Sequence, residues 1–474
     1  MAEWSEWSRS AFAEHRVGQL APRPQARITA RRNAYMAMAS RLVLRGANPT
    51  RNLMSAQRVI LPRPFPWSVG VPLVGAVFTY IVFPLSVQAF AKRRTRPRPP
   101  TGGALPTMTV VIPACNEEVF IAEKVRNTFD NGYDPALLEV IVVNDGSTDS
   151  TVSRASAAGA KVINIDPRGG KCNAISSGVA VATGDIVVVT DANGLLNQGA
   201  LRRVGEAFAD PEVMLASGAK APTGRSVHGI GEAIYWKLEV GVRQALGELG
   251  CLDGADGAVY AFRREWFRPI PAGVLNDDFY LTLVALDEGH RVVHAPNALA
   301  EEQVSATMAQ EFRRRSRVSA GIWQGSVRFA RLASPLRGRV AYVFIGHRIL
   351  RSMVMPCLLP ILAVASVVHR RNPWVRSLLA AQLGVYGAAA VGVATGNVAL
   401  AIPTHFTLLN VAALRGLVSF VRGNQHVAWE RIPRVAPPNA TWAHGHPGDT
   451  SNAAPTLRAP SEEPASPIKT ARAS

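Results

Sequence analysis

The chain has 474 residues, a formal net charge of +18 and a sequence pI near 10.5. That length is enough for roughly two or three folded units. The four cysteines show no paired or CxxC spacing, which argues against a disulfide framework or a zinc site and is typical of a reducing compartment. No nucleic-acid-binding motif is found, and arginines cluster beside apolar stretches. This distribution favours lipid headgroups and phosphates as partners and predicts no nucleic acid.

Residues 1–63 form a basic N-terminal arm that contains arginines but no lysine. A basic segment of this length before any apolar run is wrong for a secretory signal peptide. Two interpretations stay open, a helical arm on an anionic membrane surface and a disordered extension.

The first apolar stretch, residues 64–91, carries no formal charge and is followed by Lys92, Arg93 and Arg94. It is long enough to cross about 30 Å of hydrocarbon, so it predicts a transmembrane helix. The basic cluster after it predicts that the next domain lies in the cytoplasm.

Residues 109 to about 300 alternate strand-like and helix-like segments, which is the pattern of an α/β domain, and the domain is predicted to span residues 101–330. Runs within 109–112, 140–143 and 186–189 are short, β-branched and continuous, as in strands buried on both faces of a parallel sheet. Each run leads into a loop that bears acids, and ligands bind at the carboxyl ends of such strands. Together the loops predict a nucleotide site, although any single acid could be a helix cap or a turn residue.

The last part of the chain is apolar again. Residues 331–352 are predicted to be a basic interfacial segment, and residues 353–421 further transmembrane helices, for about three or four spans in all. Residues 422–474 are predicted to be interfacial and then disordered. The predicted protein is therefore an integral protein of the cell membrane, with an α/β domain inserted between transmembrane helices.

The loops after the strands offer the residue types that a nucleotide diphosphate needs. Asp191 and Asn193 can present hard oxygens to Mg²⁺ or Mn²⁺ and leave positions for phosphate oxygens and water. Glu117 and Asp145 are placed to contact the base or the ribose. Lys171, which follows two glycines, offers a point charge to phosphate.

An ordered set of motifs carries a family resemblance. The motifs are IPACNEE (112–118), VVNDGSTDST (142–151), RGGKCNA (168–174), VTDAN (189–193), LDGADGAVYAFRRE (252–265), NDDFYL (276–281) and RRSRVSAG (314–321). Over roughly residues 107–330 the set resembles the inverting family 2 glycosyltransferases. It is most similar to the membrane-embedded branch of cellulose, chitin and hyaluronan synthases. The resemblance implies a GT-A-like (Rossmann-like), mostly parallel sheet and a nucleotide-sugar donor, with UDP expected.

The resemblance also implies roles for individual acids. Asp145 matches the acid that contacts the uridine, and Asp191 matches the first acid of the DxD metal motif, in which Asn193 replaces the second. Asp278 matches the base that deprotonates the acceptor hydroxyl, and Asp277 stands where the family has glutamate. Two adjacent carboxylates in a closed pocket can raise the pKa of the base by repulsion and desolvation.

Arg314 and Arg317 match the two ends of the family's (R/Q)xxR(W) motif, and we expect both to contact the nucleotide. Guanidinium forks suit bidentate contact with a diphosphate. The tryptophan that stacks on the acceptor sugar in processive members is Val318 here, and Trp323 is a candidate substitute. The arginine run can also be interpreted as a solvated or lipid-facing helix face.

Asp256, in the glycine-rich turn before residues 258–262, and Asp277 are the predicted acceptor contacts. A plain turn is the alternative for Asp256, and a helix N-terminus is compatible with the acids at 277 and 278. His290 and His294 flank a strand-like pair and fit a structural role better than a metal pair.

These observations predict a membrane enzyme that transfers a sugar, with inversion, from a nucleotide-diphosphate sugar to a polysaccharide or lipid acceptor. One alternative is the non-processive transfer of a single sugar to a lipid carrier. The other is a catalytically silent membrane component of a polysaccharide assembly.

Overall fold

The computed structural model describes residues 66–93, 104–223, 239–303 and 307–423. The described residues from Trp67 onward belong to one compact unit. The predicted N-terminal arm, 1–63, lies outside the described residues, as does the predicted tail from residue 424.

The described residues contain a single eight-stranded sheet. Its strands are β1 (Met108–Ala114), β2 (Leu138–Asn144), β3 (Lys161–Asn164), β4 (Ile186–Thr190), β5 (Leu195–Leu196), β6 (Val213–Thr223), β7 (Val259–Arg263) and β8 (Arg291–Gln303). Their order across the sheet is β3-β2-β1-β4-β7-β6-β8-β5. Strands β3, β2, β1 and β4 run parallel, β7 is antiparallel to β4 and β6, and β8 is parallel to β6. The predicted α/β domain with a mostly parallel sheet is confirmed.

The helices within the described residues fall into two groups. Those of the α/β domain are α2 (Ile121–Phe129), α3 (Thr151–Ala157), α4 (Lys171–Val181), α5 (Ala200–Glu206), α6 (residues 239–248), α7 (Asp277–Asp287) and α8 (Met308–Arg328). The apolar group is α1 (Trp67–Arg93), α9 (Arg339–Val368), α10 (Pro373–Thr395) and α11 (Val398–Val421). By length and composition, these last four could each cross a membrane.

The continuous β-branched runs form strands because both of their faces are covered. Val111 and Val187 belong to one hydrophobic core, and Val110 and Val188 belong to the core on the opposite side of the sheet. All four side chains are fully buried. Since successive strand residues point to opposite faces, a sheet covered on both sides needs apolar residues at every position.

The core next to Val187 extends onto the apolar helices. Phe83 of α1 and Phe344 of α9 belong to this core. The two helices approach closely, because a Cβ added to Gly346 of α9 would lie 2.3 Å from the Phe83 ring. The apolar helices and the sheet domain therefore share packed side chains.

The start of β4 depends on a glycine without room for a side chain. A Cβ at Gly184 would lie 2.6 Å from the backbone carbon of Met108 and from the backbone nitrogen of Thr109. We expect Gly184→Ala to reduce the free energy of unfolding by about 1–3 kcal/mol, because backbone atoms of β1 cannot move aside. Thermal melting in detergent would measure the loss.

Gly384→Ala is the matched control, since a Cβ at Gly384 of α10 meets nothing within 4 Å. The same substitution should leave melting unchanged or slightly higher there, as alanine is the better helix former. Equal losses in the two variants would contradict the packing argument.

Candidate active site

The loops that follow β1, β2 and β4 lie side by side at one edge of the sheet, because these strands are parallel neighbours. A cavity of about 1210 Å³ opens at this edge. All the predicted site residues except Asp145 line it, namely Glu117, Lys171, Asp191, Asn193, Asp256, Asp277, Asp278, Arg314 and Arg317. Residues distant in sequence thus meet in one cleft.

Lys171, the first residue of α4, lies between two carboxylates. Its Nζ is 2.9 Å from Asp191 Oδ1 and 3.3 Å from Asp277 Oδ1. Burial by itself lowers the pKa of Lys171, but Asp191 and Asp277 outweigh burial and hold that pKa above its usual value. The lysine is therefore a fixed positive charge that joins the end of β4 to the start of α7.

The two acids at the start of α7 have different surroundings. Asp277 Oδ2 accepts a hydrogen bond of 2.7 Å from the buried hydroxyl of Tyr260, and Oδ1 faces Lys171. Asp278 Oδ1 accepts a bond of 2.8 Å from the backbone N–H of Phe279. Burial and then repulsion from Asp277 raise the pKa of Asp278 to about 7, although Lys171 opposes the shift. Asp277 is held in place, whereas Asp278 can exchange a proton near neutral pH.

Asp145 lies behind the cavity wall. Its fully buried carboxylate accepts hydrogen bonds from the backbone N–H of Gly169 at 2.7 Å and of Gly170 at 3.0 Å, and it contacts Arg168 Nε at 3.3 Å. Asp145 therefore fixes the loop from which α4 and Lys171 start. The uridine contact that the sequence predicts for Asp145 stays a prediction.

A buried lysine that the sequence analysis missed supports the loop with Asp191. Lys124 of α2 is fully buried, and its Nζ donates to Thr190 Oγ1 at 2.9 Å and to the backbone carbonyl of Gly194. Burial lowers the pKa of Lys124 to about 7, although the nearby Asp191 carboxylate acts to raise it. Its position was visible in the sequence, because Lys124 lies three residues after the core residue Ile121 on an amphipathic helix.

Asp191 and Asn193 provide a limited set of metal ligands. No cluster of three or more histidine, cysteine or acidic side chains suited to a metal occurs among the described residues. One carboxylate and one amide fit a cation that takes its remaining ligands from a diphosphate and from water. Asn193 Nδ2 is oriented by a hydrogen bond of 3.2 Å to Glu302 Oε1, which leaves the amide oxygen as the ligand atom. The donor set is therefore compatible with Mg²⁺ or Mn²⁺ bound together with a substrate.

The two predicted arginines on helix α8, Arg314 and Arg317, have different surroundings. The Arg314 guanidinium contacts both oxygens of the buried Glu311, at 2.8 and 3.0 Å, and Arg315 Nε lies 2.7 Å from Glu311 Oε1. Burial acts to raise the pKa of Glu311, but Arg314 and Arg315 hold it well below its usual value. Arg317 is exposed on the cavity wall and forms no hydrogen bond or ion pair with any residue that the structure describes. Arg317 is the better placed of the two to receive an anion.

Glycines let α8 lie directly against α7. Asn276 Nδ2, just before α7, donates to the backbone carbonyl of Val318 at 2.9 Å. A Cβ at Gly321 would lie 2.5 Å from the Asn276 side chain, and one at Gly325 would lie 2.6 Å from the Phe279 ring. The spacing between the acids of α7 and the arginines of α8 therefore depends on these two small residues.

The turn with Asp253 and Asp256 is anchored on both sides. Asp256 Oδ1 accepts from Ala258 N–H and Oδ2 from Lys220 N–H, each at 3.1 Å. The fully buried Asp253 lies 2.8 Å from His347 Nδ1 and 3.2 Å from Arg348 Nε, both on α9. Asp256 therefore stabilises the turn as well as lining the cavity.

A second buried acid completes the charge cluster on α9. Glu239 Oε1 lies 2.9 Å from His347 Nε2, and its Oε2 lies 2.7 Å from Arg351 Nη1. Residues 339–352, which the sequence assigned to an interfacial segment, form the first half of the apolar helix α9. His347, Arg348 and Arg351 can be part of an apolar helix because they pair with the buried acids Glu239 and Asp253.

His290, His294 and Trp323 do not belong to the cavity wall. His294 Nδ1 lies 3.0 Å from the carbonyl of Ser217, and burial lowers the pKa of His294 to about 3. His290 lies 3.6 Å from Glu288. Trp323 stacks on Phe420 of α11, with ring centroids 6.5 Å apart. The cavity wall includes no tryptophan among the described residues, so Trp323 does not replace the ring lost at Val318.

The fold and the strand-end cavity define a GT-A-type α/β protein. The solved mannosyltransferase PcManGT of Pyrobaculum calidifontis, in complex with GDP-Man and Mn²⁺, superposes with a TM-score of 0.59 at 22% identity. The match covers 75% of this chain and 99% of that one. At this identity the likeness shows the fold alone.

Residues 109–265 match the family described as Glycosyl transferase family 2. An uncharacterized glycosyltransferase of Mycobacterium bovis is 31% identical over 169 residues, which are 32% of this chain and 74% of that protein. The chain belongs to glycosyltransferase family 2. The probable glycosyltransferase YdaM of Bacillus subtilis is 28% identical over 241 residues. This match covers 46% of this chain, and the chain spans only 55% of the length of that relative.

The lowered pKa of Lys124 predicts how the stability of the fold depends on pH. Between pH 7 and 10.5 the lysine is charged in the unfolded chain but mostly neutral when folded, so folding releases a proton and stability rises with pH. Lys124→Met removes this gain. Wild type should therefore become more stable relative to Lys124→Met by on the order of 1 kcal/mol per pH unit between pH 7.5 and 9.5. Melting temperatures across this range would measure the difference.

Lys161→Met is the control, because Lys161 is an exposed lysine that lies 3.2 Å from Glu139. Its pH dependence should follow that of wild type. A gap between wild type and Lys124→Met that stays constant with pH would contradict the assigned protonation state of Lys124.

Proposed function

We propose that the protein is an inverting hexosyltransferase that transfers a sugar from a nucleotide-diphosphate sugar to an acceptor hydroxyl. The observation that carries this proposal is the arrangement of one cavity. A carboxylate with a pKa of about 7, Asp278, lies beside a Lys171–Asp191 pair, and Arg317 on the same wall forms no hydrogen bond or ion pair with another described residue. A single displacement at an anomeric carbon requires one base for the acceptor hydroxyl and a positively charged site for the leaving diphosphate.

The donor occupies the strand-end side of the cavity in this proposal. Arg317 and Arg314 face its diphosphate, Lys171 adds a positive charge, and Glu117 and Asp145 lie on the nucleoside side. A Mg²⁺ or Mn²⁺ ion, when bound, supplies positive charge to the leaving diphosphate. Asp191 and Asn193 hold it. The Mn²⁺ complex of PcManGT with GDP-Man supports a metal and a nucleotide sugar here, and the family resemblance favours UDP.

Asp278 is the proposed base on the acceptor side, with Asp256 and Asp277 as acceptor contacts. The acceptor oxygen forms a bond to the anomeric carbon while the bond to the diphosphate breaks. The hydroxyl proton goes to the Asp278 carboxylate, and the nucleoside diphosphate leaves with the electron pair. A pKa near the working pH suits a group that must take a proton and later release it.

The proposal also covers location and product. Four apolar helices and the basic residues that end α1 support an integral cell-membrane protein with the catalytic domain in the cytoplasm. The resemblance to the polysaccharide synthase branch supports a polysaccharide or a lipid as acceptor. Because no tryptophan lines the cavity among the described residues, transfer of a single sugar is favoured over processive synthesis. Membrane lipids are the expected surroundings.

Asp278→Asn should reduce transfer at least a thousandfold, because an amide cannot take the acceptor proton, and it should leave UDP affinity within a few-fold. In wild type, kcat/KM should rise about tenfold per pH unit below pH 7 and level off above it, as the carboxylate becomes ionised. A UDP-release assay over a panel of UDP- and GDP-sugars would measure both effects. Asp287→Asn, at the other end of α7 and away from the cavity wall, is the control. An active Asp278→Asn enzyme would remove Asp278 from the mechanism.

Asp191→Ala should make nucleotide affinity insensitive to added Mn²⁺, because the only carboxylate of the proposed metal site is lost. Titration calorimetry with UDP, with and without Mn²⁺, would measure this change. Asp185→Ala, at the opposite end of the same strand, should retain the metal response of wild type. Retained metal dependence in Asp191→Ala would point to other ligands.

A further inference from the structure

The cavity continues beyond the catalytic acids. From Asp278 its wall passes Arg348 and Arg351 and extends between the apolar helices, where it is lined by Tyr80 of α1 and Pro356 of α9. Its volume of about 1210 Å³ exceeds the roughly 300–1,000 Å³ that is usual for ligand pockets. The cavity is therefore large enough for an acceptor beside the donor.

The far wall of the cavity is one face of α11. The lining residues from this helix are Ile402, His405, Phe406, Leu409, Asn410 and Ala413. They recur at positions i, i+3, i+4, i+7, i+8 and i+11, which places them on a single helix face. At 1.5 Å rise per residue this face extends about 16 Å, or roughly half of a hydrocarbon core.

The wall changes in chemical character along its length. Carboxylates and Lys171 surround the catalytic end. In the middle, Arg348 and Arg351 face the cavity while they pair with Asp253 and Glu239. At the far end residues 401–414 contain no Asp, Glu, Lys or Arg, and the rings of Tyr80 and Phe406 meet edge to face at 5.9 Å. The cavity is highly charged at one end and mainly apolar at the other, where His405, Asn410 and Tyr80 are the polar side chains among the lining residues of α1 and α11.

A hydrocarbon chain suits the apolar end better than a sugar chain does. A buried hydroxyl without a hydrogen-bond partner costs roughly 2–7 kcal/mol, and every sugar unit carries several hydroxyls. The Asn410 amide nitrogen already donates to the carbonyl of Phe406 at 2.8 Å. At this end a sugar would find polar partners only at His405, Tyr80 and the Asn410 amide oxygen among the lining residues of α1 and α11. Ile402, Phe406 and Leu409 provide an apolar wall that suits a hydrocarbon chain.

We propose that the acceptor is a membrane lipid with its head at Asp278 and its hydrocarbon chain along the Leu409 face of α11. This inference rests on the proposed function and names the acceptor class for the same site. The head carries the oxygen that bonds to the anomeric carbon. That oxygen is a hydroxyl that gives its proton to Asp278, or a phosphate oxygen that is already ionised. The nucleoside diphosphate leaves as described above.

The test uses the full chain in nanodiscs that contain either diacylglycerol or undecaprenyl phosphate. Radiolabelled UDP-glucose, UDP-galactose, UDP-N-acetylglucosamine and GDP-mannose are the donors, and label extracted into organic solvent measures lipid product. Leu409→Trp fills the apolar end of the cavity. Val411→Trp is the matched control, because it adds the same ring two residues away, on the opposite face of α11, where Val411 is 48% exposed.

We expect Leu409→Trp to reduce the organic-soluble product at least tenfold while nucleotide affinity stays within twofold of wild type. Val411→Trp should match wild type in both measurements. Product in the diacylglycerol nanodiscs would identify a lipid hydroxyl as the nucleophile, and product in the undecaprenyl phosphate nanodiscs would identify a lipid phosphate.

Two results would overturn the lipid assignment alone. One is nucleotide binding by wild type with label only in water-soluble sugar chains, or in neither lipid. The other is equal lipid product in the two tryptophan variants. Failure of wild type to bind any of the nucleotide sugars would instead contradict the proposed function on which this inference rests.

Discussion

The site depends on the ammonium group of Lys171, which lies between Asp191 and Asp277. These carboxylates come from different elements, the end of β4 and the start of α7, and would repel each other in a closed cavity without a cation between them. Lys171 holds both within about 3 Å. Burial, and then repulsion from Asp277, which Tyr260 also holds in place, leave the neighbouring Asp278 with a raised pKa. One lysine thus fixes two acids and leaves the third able to change protonation state.

The geometry around Lys171 is set by groups behind the cavity wall. Asp145 binds the backbone of the loop from which α4 starts, and Lys124 binds the backbone beside Asp191. Gly321 and Gly325 let α8 approach α7, which brings Arg317 to the same wall as Asp278. Rigid support of this kind is what places catalytic groups accurately, since a small displacement changes the distance between reacting atoms.

The same cavity joins the α/β domain to the apolar helices. Glu239 and Asp253 bury their charges against basic residues of α9, and replacing one partner of such a cluster leaves an uncompensated buried charge. Gly416 of α11 packs on α8, because a Cβ there would lie 2.6 Å from Ser319 Cβ. Helix α8 therefore touches α7, which carries Asp277 and Asp278, on one side and the apolar helix α11 on the other. A lipid held along α11 would lie next to the helix that carries the arginines.

The sequence by itself determined the strands, the apolar helices and the acids at the strand ends. Hydrophobic periodicity is a local property, and parallel strands bring their carboxyl ends to one edge. Only the tertiary structure decided which partners meet. It paired Lys171 with Asp277, bound Arg314 to Glu311 while leaving Arg317 on the cavity wall, and buried Lys124 beneath Asp191. Such contacts join elements that are distant in the chain, so their geometry depends on how helices pack on the sheet, which local patterns do not encode.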